Sequence, residues 1–153
     1  NTILIIDPGQ KVISSSLGHE LMNKNPFSNK RFEIAKNNTK RLKDILKSGE
    51  LDDFITITES EALMIHSLML SSDPYYILMK PNTLAAIHKV LEFRRETKLH
   101  LSFTLDAGSN VHLLYPKSET EIITKFIDNE LLMLCKYKSC IHDNLGNGAT
   151  KIR

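Results

Sequence analysis

Few of the features that settle a protein's class at a glance are present in this sequence. There are two cysteines, Cys135 and Cys140, too few for a disulfide framework. Their C-x4-C spacing fits no common zinc pattern, so both read as structural thiols of a reducing, cytoplasmic compartment. No apolar run approaches the roughly 18–20 residues that a bilayer span requires. The opening Asn1–Ile6 is too short for a secretory signal and lacks a basic n-region. A formal charge of +2 gives no electrostatic footprint for nucleic acid or an acidic membrane. The glycine-rich phosphate loops G-x-x-x-x-G-K-[ST] and G-x-G-x-x-G are missing, as are G-x-S-x-G and H-E-x-x-H. Nothing in the chain cradles a nucleotide. Among the six histidines, His66 and His112 have no partner at ligand spacing, which predicts structural roles and no metal.

What is present reads as one compact domain over residues 1–153. The content of 41% hydrophobic and 25% charged residues is that of a soluble globular chain long enough to bury its own core. Ile3–Ile6 reads as a buried strand that starts abruptly without a Met, which suggests a beginning inside a longer protein. Asp7-Pro8-Gly9-Gln10 ends it as a turn. Ser14-Ser15-Ser16 then stand where a helix opens. From Asn29 to Lys47 the apolar positions Phe32, Ala35, Leu42, Ile45 and Leu46 recur at a helical period, with Gly49 as the stop. Leu51 to Leu70 repeats the pattern but is more apolar all round, which predicts a well-buried helix antiparallel to the first.

Beyond Asp73-Pro74, Tyr75–Met79 reads as a strand and Leu84–Arg95 as a helix. Leu101, Phe103 and Leu105 share one face of a strand whose partner is Val111–Tyr115. The tight connection Asp106–Asn110 makes that pair antiparallel. Glu119–Cys135 reads as a last amphipathic helix, and the tail around Gly146-Asn147-Gly148 as a loop. The pattern predicts an α+β fold, an antiparallel sheet covered by helices.

Two places carry candidate chemistry. In Phe103-Thr104-Leu105-Asp106-Ala107-Gly108-Ser109-Asn110 a carboxylate stands where an apolar strand ends, and small residues follow it. Gly108 lets the backbone turn tightly and a ligand approach closely. An Asp held there suits a base or an electrostatic orienter; a turn-capping Asp is the alternative. Ser14 and Ser15, at a helix N-terminus, can join backbone N–H groups around a phosphate or carboxylate, or simply cap the helix.

Taken together, these segments resemble the C-terminal half of the diphosphomevalonate decarboxylase family, within the galactokinase, homoserine kinase, mevalonate kinase and phosphomevalonate kinase superfamily. Phe103–Asn110 is similar to a family motif of the form (T/Y)-T-F-D-A-G-P-N. Val12-Ile13-Ser14-Ser15-Ser16 is similar to a K-x-V-S-S-T/R segment. Lys30-Arg31-Phe32, the helix from Glu59 through His66 into Ser72-Asp73-Pro74, and Gly146-Asn147-Gly148-Ala149 extend the likeness over nearly the whole chain. Ser109 and Ala149 depart from family prolines, in turns where no chemical group is lost.

The resemblance implies a ferredoxin-like C-terminal domain acting on mevalonate diphosphate with ATP and Mg²⁺. The tertiary hydroxyl is phosphorylated, phosphate departs, and carboxylate loss gives isopentenyl diphosphate. It places the catalytic role on Asp106, with Ala107, Gly108 and Asn110 in its loop, and substrate contact on Ser15, with Ser14 the neighbouring alternative. It also implies a homodimer, and a nucleotide-binding half that these residues lack, so that this chain alone does not turn over. Two other readings stay open: a superfamily kinase acting on a related isoprenoid precursor, or a non-enzymatic ligand-binding domain in which Asp106 and Ser15 are structural.

Overall fold

The structure, a computed structural model, describes residues 1–9, 15–146 and 148, and for Ser15, Ser16, Leu17 and His19 the backbone. The chain forms a short strand β1 (Thr2–Leu4), then four helices in succession: α1 (Ser15–Lys24), α2 (Ser28–Ser48), α3 (Leu51–Leu70) and α4 (Pro81–Thr97). A hairpin of β2 (Ser102–Leu105) and β3 (Val111–Leu114) follows, then α5 (Thr120–Phe126) and β4 (Cys140–His142). The sheet order is β2-β3-β1-β4, with every neighbouring pair antiparallel. This is the split β-α-β-β-α-β arrangement of ferredoxin-like folds, as expected for an α+β chain.

Apolar alternation decides which face of the sheet is buried. Leu4, Leu101, Phe103, Leu105, Val111 and Leu113 meet Ala86, Ile87 and Val90 of α4 and Ile123 of α5 in one core. Ring stacking between Phe93 and Phe126, at 4.1 Å, joins α4 to α5. A second, smaller cluster of Leu21, Met22, Leu68, Met69 and Tyr76 fixes α1 against α3. Gly49 closes α2 with a left-handed φ of 80°, its N–H donating to Ile45 O at 2.8 Å. That conformation is one glycine adopts without a steric penalty, and it reverses the chain into α3.

Four expectations change. Tyr75–Met79 forms no regular element and joins no ladder among the described residues. Tyr76 instead donates its N–H to Met69 O at 3.1 Å and buries its ring in the smaller cluster. The helix read over Glu119–Cys135 breaks into a 3-10 turn at Lys117–Glu119, α5, a π-helical turn at Ile127–Leu131 and a 3-10 turn at Leu132–Leu134. Ile123, Ile127 and Leu131 are all fully buried. Their i, i+4, i+8 spacing drifts around a 3.6-residue helix, and the wider π turn returns Leu131 to the core. The stretch after Cys135 holds strand β4, which pairs with β1 through Leu4↔Cys140 and Thr2↔His142. Finally, α3 buries a stripe rather than its whole surface: Leu51, Leu63 and Leu70 are at least 37% exposed.

Candidate active site

β2 delivers Asp106 to the surface. Leu105 is buried, and one residue further the chain leaves the sheet with Asp106 exposed. The turn closes immediately: Gly108 N–H donates to Asp106 O at 2.7 Å, and Ala107 N–H donates to Asp106 Oδ1 at 2.6 Å. The carboxylate is therefore steered by its own loop while its residue faces solvent.

The rest of the loop is pinned from three other elements. Thr83, fully buried at the start of α4, donates its hydroxyl hydrogen to Ser109 O at 2.7 Å and accepts from Lys80 N–H at 3.1 Å. Asn110 Oδ1 accepts from Asp7 N–H at 3.1 Å, which ties the loop to the turn after β1. That turn is itself closed by Gly9 N–H donating to Asp7 Oδ1 at 2.9 Å, with Lys80 Nζ 4.0 Å from Asp7 Oδ2. Ala107 packs against the cluster of Leu21, Met22 and Tyr76. From α3, His66 Nε2 lies 3.2 Å from Asp106 O. Burial holds the His66 imidazole below its ordinary value, against the opposing pull of the Asp106 carbonyl and the nearby Asp106 carboxylate. A neutral ring results, whose Nε2–H donates to that carbonyl.

Asp106, Ala107, Gly108 and Asn110 thus form one pinned loop. Ser14 and the side chain of Ser15 lie outside the described residues. The backbone of Ser15 opens α1, as the run of serines predicts. Tyr76 OH donates to Gly18 O at 3.2 Å, so the first turn of α1 borders the same cluster that receives Ala107. The residues that sequence reading left out of the site are Asp7, His66, Lys80 and Thr83. Their partners lie 103, 40 and 26 positions away for Asp7, His66 and Thr83. The turn signal at Asp7-Pro8-Gly9 was visible, but no local spacing relates it to Asn110.

Among the described residues, no group of three or more His, Cys, Asp or Glu could hold a metal ion, and no helix is long and apolar enough to cross a membrane. The two cysteines are free thiols. Burial pushes Cys135 up to about 11, helped by Cys140, so it is a poor nucleophile at neutral pH.

Residues 2–148 match the family of mevalonate 5-diphosphate decarboxylase C-terminal domains. No curated protein matches the chain in sequence. Among solved structures it is similar to a mevalonate diphosphate decarboxylase from Legionella pneumophila, with 26% identity and a TM-score of 0.82, over 92% of this chain and 44% of that one. A mevalonate pyrophosphate decarboxylase from Streptococcus pyogenes gives 20% identity and 0.82, over 96% and 45% of the two chains. The mevalonate diphosphate decarboxylase from Enterococcus faecalis gives 20% and 0.76, over 92% and 41%. The last two, at such identity, speak for the fold. The chain spans less than half the length of each of these proteins. With a family match running from the first strand to the end of the described tail, this chain belongs to the mevalonate 5-diphosphate decarboxylase C-terminal domain family.

Proposed function

We propose that residues 1–153 form the substrate-facing, C-terminal domain of an ATP-dependent decarboxylase that converts mevalonate diphosphate to isopentenyl diphosphate, CO₂, ADP and phosphate. The observation that carries this reading is the Asp106 loop: an exposed carboxylate at the end of a buried strand, held by hydrogen bonds from its own loop, with that loop anchored to α3, α4 and the β1 turn. Membership of the decarboxylase C-terminal domain family supports this choice of reaction.

In this reading Asp106 accepts the hydrogen of the substrate's tertiary hydroxyl, as base or orienter. Its negative charge then favours the positive character that develops at the tertiary carbon as phosphate leaves, before the carboxylate departs as CO₂. Ala107, Gly108 and Asn110 keep that carboxylate in place. Ser15, or its neighbour Ser14, orients the substrate's carboxylate or diphosphate at the start of α1. ATP and Mg²⁺ belong to the same proposal, held by a nucleotide-binding half outside residues 1–153. The support for both comes from relatives: the Enterococcus faecalis enzyme is described with ATP binding mediated by mevalonate diphosphate, and another fold relative as a complex with MVAPP, AMPPCP and magnesium. A homodimeric, cytoplasmic enzyme is part of the same proposal.

The test is an assay of ATP-dependent CO₂ release from mevalonate diphosphate, run on the full-length protein and on the isolated 153-residue chain. Release from the first and none from the second is the expected result. No release from a folded full-length protein would sink the decarboxylase reading and return the choice to a related kinase or a binding domain.

A further inference from the structure

One helix covers the outer edge of β2, and two of its side chains, seven residues apart, reach the strand's backbone. Phe103 N–H donates to Glu59 Oε1 at 3.4 Å, and His66 Nε2 lies 3.2 Å from Asp106 O. Seven residues of helix advance about 10.5 Å. Three residues of extended chain, Phe103 to Asp106, advance about 10 Å. The two spacings agree, so α3 lies along β2 in register. Ala62, 3% exposed and between the two contacts, lets helix and strand approach closely. The first contact is itself braced: Arg94 forms a two-pronged pair with Glu59 at 2.5 and 3.0 Å and donates to Leu101 O at 2.8 Å.

The second contact falls on the peptide unit that matters. The Asp106 carbonyl and the Ala107 N–H belong to one planar group. His66 holds that plane at its oxygen, and the Asp106 carboxylate is held at its nitrogen, through Ala107 N–H to Oδ1 at 2.6 Å. Turning the plane would turn the carboxylate. At that oxygen the loop's own Gly108 N–H donates at 2.7 Å, and His66, 2% exposed, adds the donor that ties the plane to α3.

We propose that His66 is a positioning residue of this site: its Nε2–H, set in register by α3, fixes the Asp106–Ala107 peptide plane and thereby aims the Asp106 carboxylate. The inference rests on the reading of Asp106 given above. It also makes a claim that needs no turnover, because a carbonyl can only accept and His66 must therefore carry its proton on Nε2.

Two measurements on the full-length protein test it. Two-bond proton–nitrogen couplings in ¹⁵N-histidine-labelled protein should show His66 as the neutral Nε2–H tautomer; an Nδ1–H tautomer overturns the proposal whatever the activity. Kinetics then separate aiming from bulk. His66→Met keeps the volume and removes the donor, and should lower kcat about tenfold, the scale of one lost hydrogen bond, with KM for mevalonate diphosphate nearly unchanged. His66→Gln returns an amide N–H at similar reach and should recover most of the loss. Equal losses in both variants, or no loss in His66→Met, overturn the positioning role. Should His66→Met fail to fold, His66→Gln decides alone: kcat within about threefold of the parent is expected if a donor suffices, and a larger drop contradicts it. A parent protein that releases no CO₂ removes the decarboxylase reading instead, and the tautomer still decides the hydrogen bond.

Discussion

The two edges of the sheet are built differently. The outer edge of β2 is met by Glu59 and His66 of α3 and Arg94 of α4, which engage Phe103, Asp106 and Leu101. The edge strand at the other side, β4, is three residues long, and Ile141 and His142 are exposed. A short strand is one way to blunt a sheet edge against unwanted pairing. Covering an edge with ionic and imidazole groups is a more demanding solution, because each must be satisfied where it is buried. The chain uses that solution on the strand that ends in Asp106. On the proposed reading, these polar anchors are concentrated beside the carboxylate that is to be aimed.

The comparison can be broken most severely at Arg94. Arg94→Met strands the Glu59 carboxylate and leaves Leu101 O without its donor, and should lower the unfolding free energy by about 3 kcal/mol in urea denaturation. A change below about 0.5 kcal/mol would show that the β2 edge is no more dependent on its polar cover than an ordinary surface. Thr83→Val comes next. It removes the buried hydroxyl that donates to Ser109 O and accepts from Lys80 N–H, and should cost about 1–2 kcal/mol by the same measurement.

His66 adds a pH signature. Its folded-state value is depressed, by burial first, so as pH falls the unfolded chain takes up the proton earlier. The stability this group contributes is complete above the ordinary histidine value of about 6.5 and declines as pH drops from there toward the folded value. Thermal unfolding between pH 7.5 and 5 should show a fall that His66→Gln removes; an identical fall in both proteins contradicts the assignment to His66. The smallest effect belongs to the β4 edge. Ile141→Thr, at a side chain 53% exposed, should stay within about 0.5 kcal/mol of the parent.

Much of this architecture was legible in the sequence because it is local. The period of α2, the stop at Gly49, the alternation of Leu101, Phe103 and Leu105 and the short connection at Asp106 each depend on a few adjacent residues. The same holds for Asp106, Ala107, Gly108 and Asn110, which stand in one loop by contiguity. What escaped depends on distant partners. Tyr75–Met79 has strand-like residues, yet Tyr76 satisfies its amide on Met69 O and leaves no ladder. β4 is too short to show a period and exists because β1 offers it an edge. His66 looked like a buried histidine in an apolar helix, which it is. Its use became visible only with the end of β2 beside it.

The central claim is that Asp106 carries chemistry rather than structure, and one comparison decides it. In the full-length protein, Asp106→Asn keeps the side chain's size and an acceptor oxygen for Ala107 N–H, so the loop should stay closed and the melting temperature close to the parent's. The account predicts that ATP-dependent CO₂ release from mevalonate diphosphate then falls by about a hundredfold or more, the scale of a lost general base. Turnover near the parent's in Asp106→Asn would contradict it, and would return Asp106 to the role of a residue that merely closes a turn.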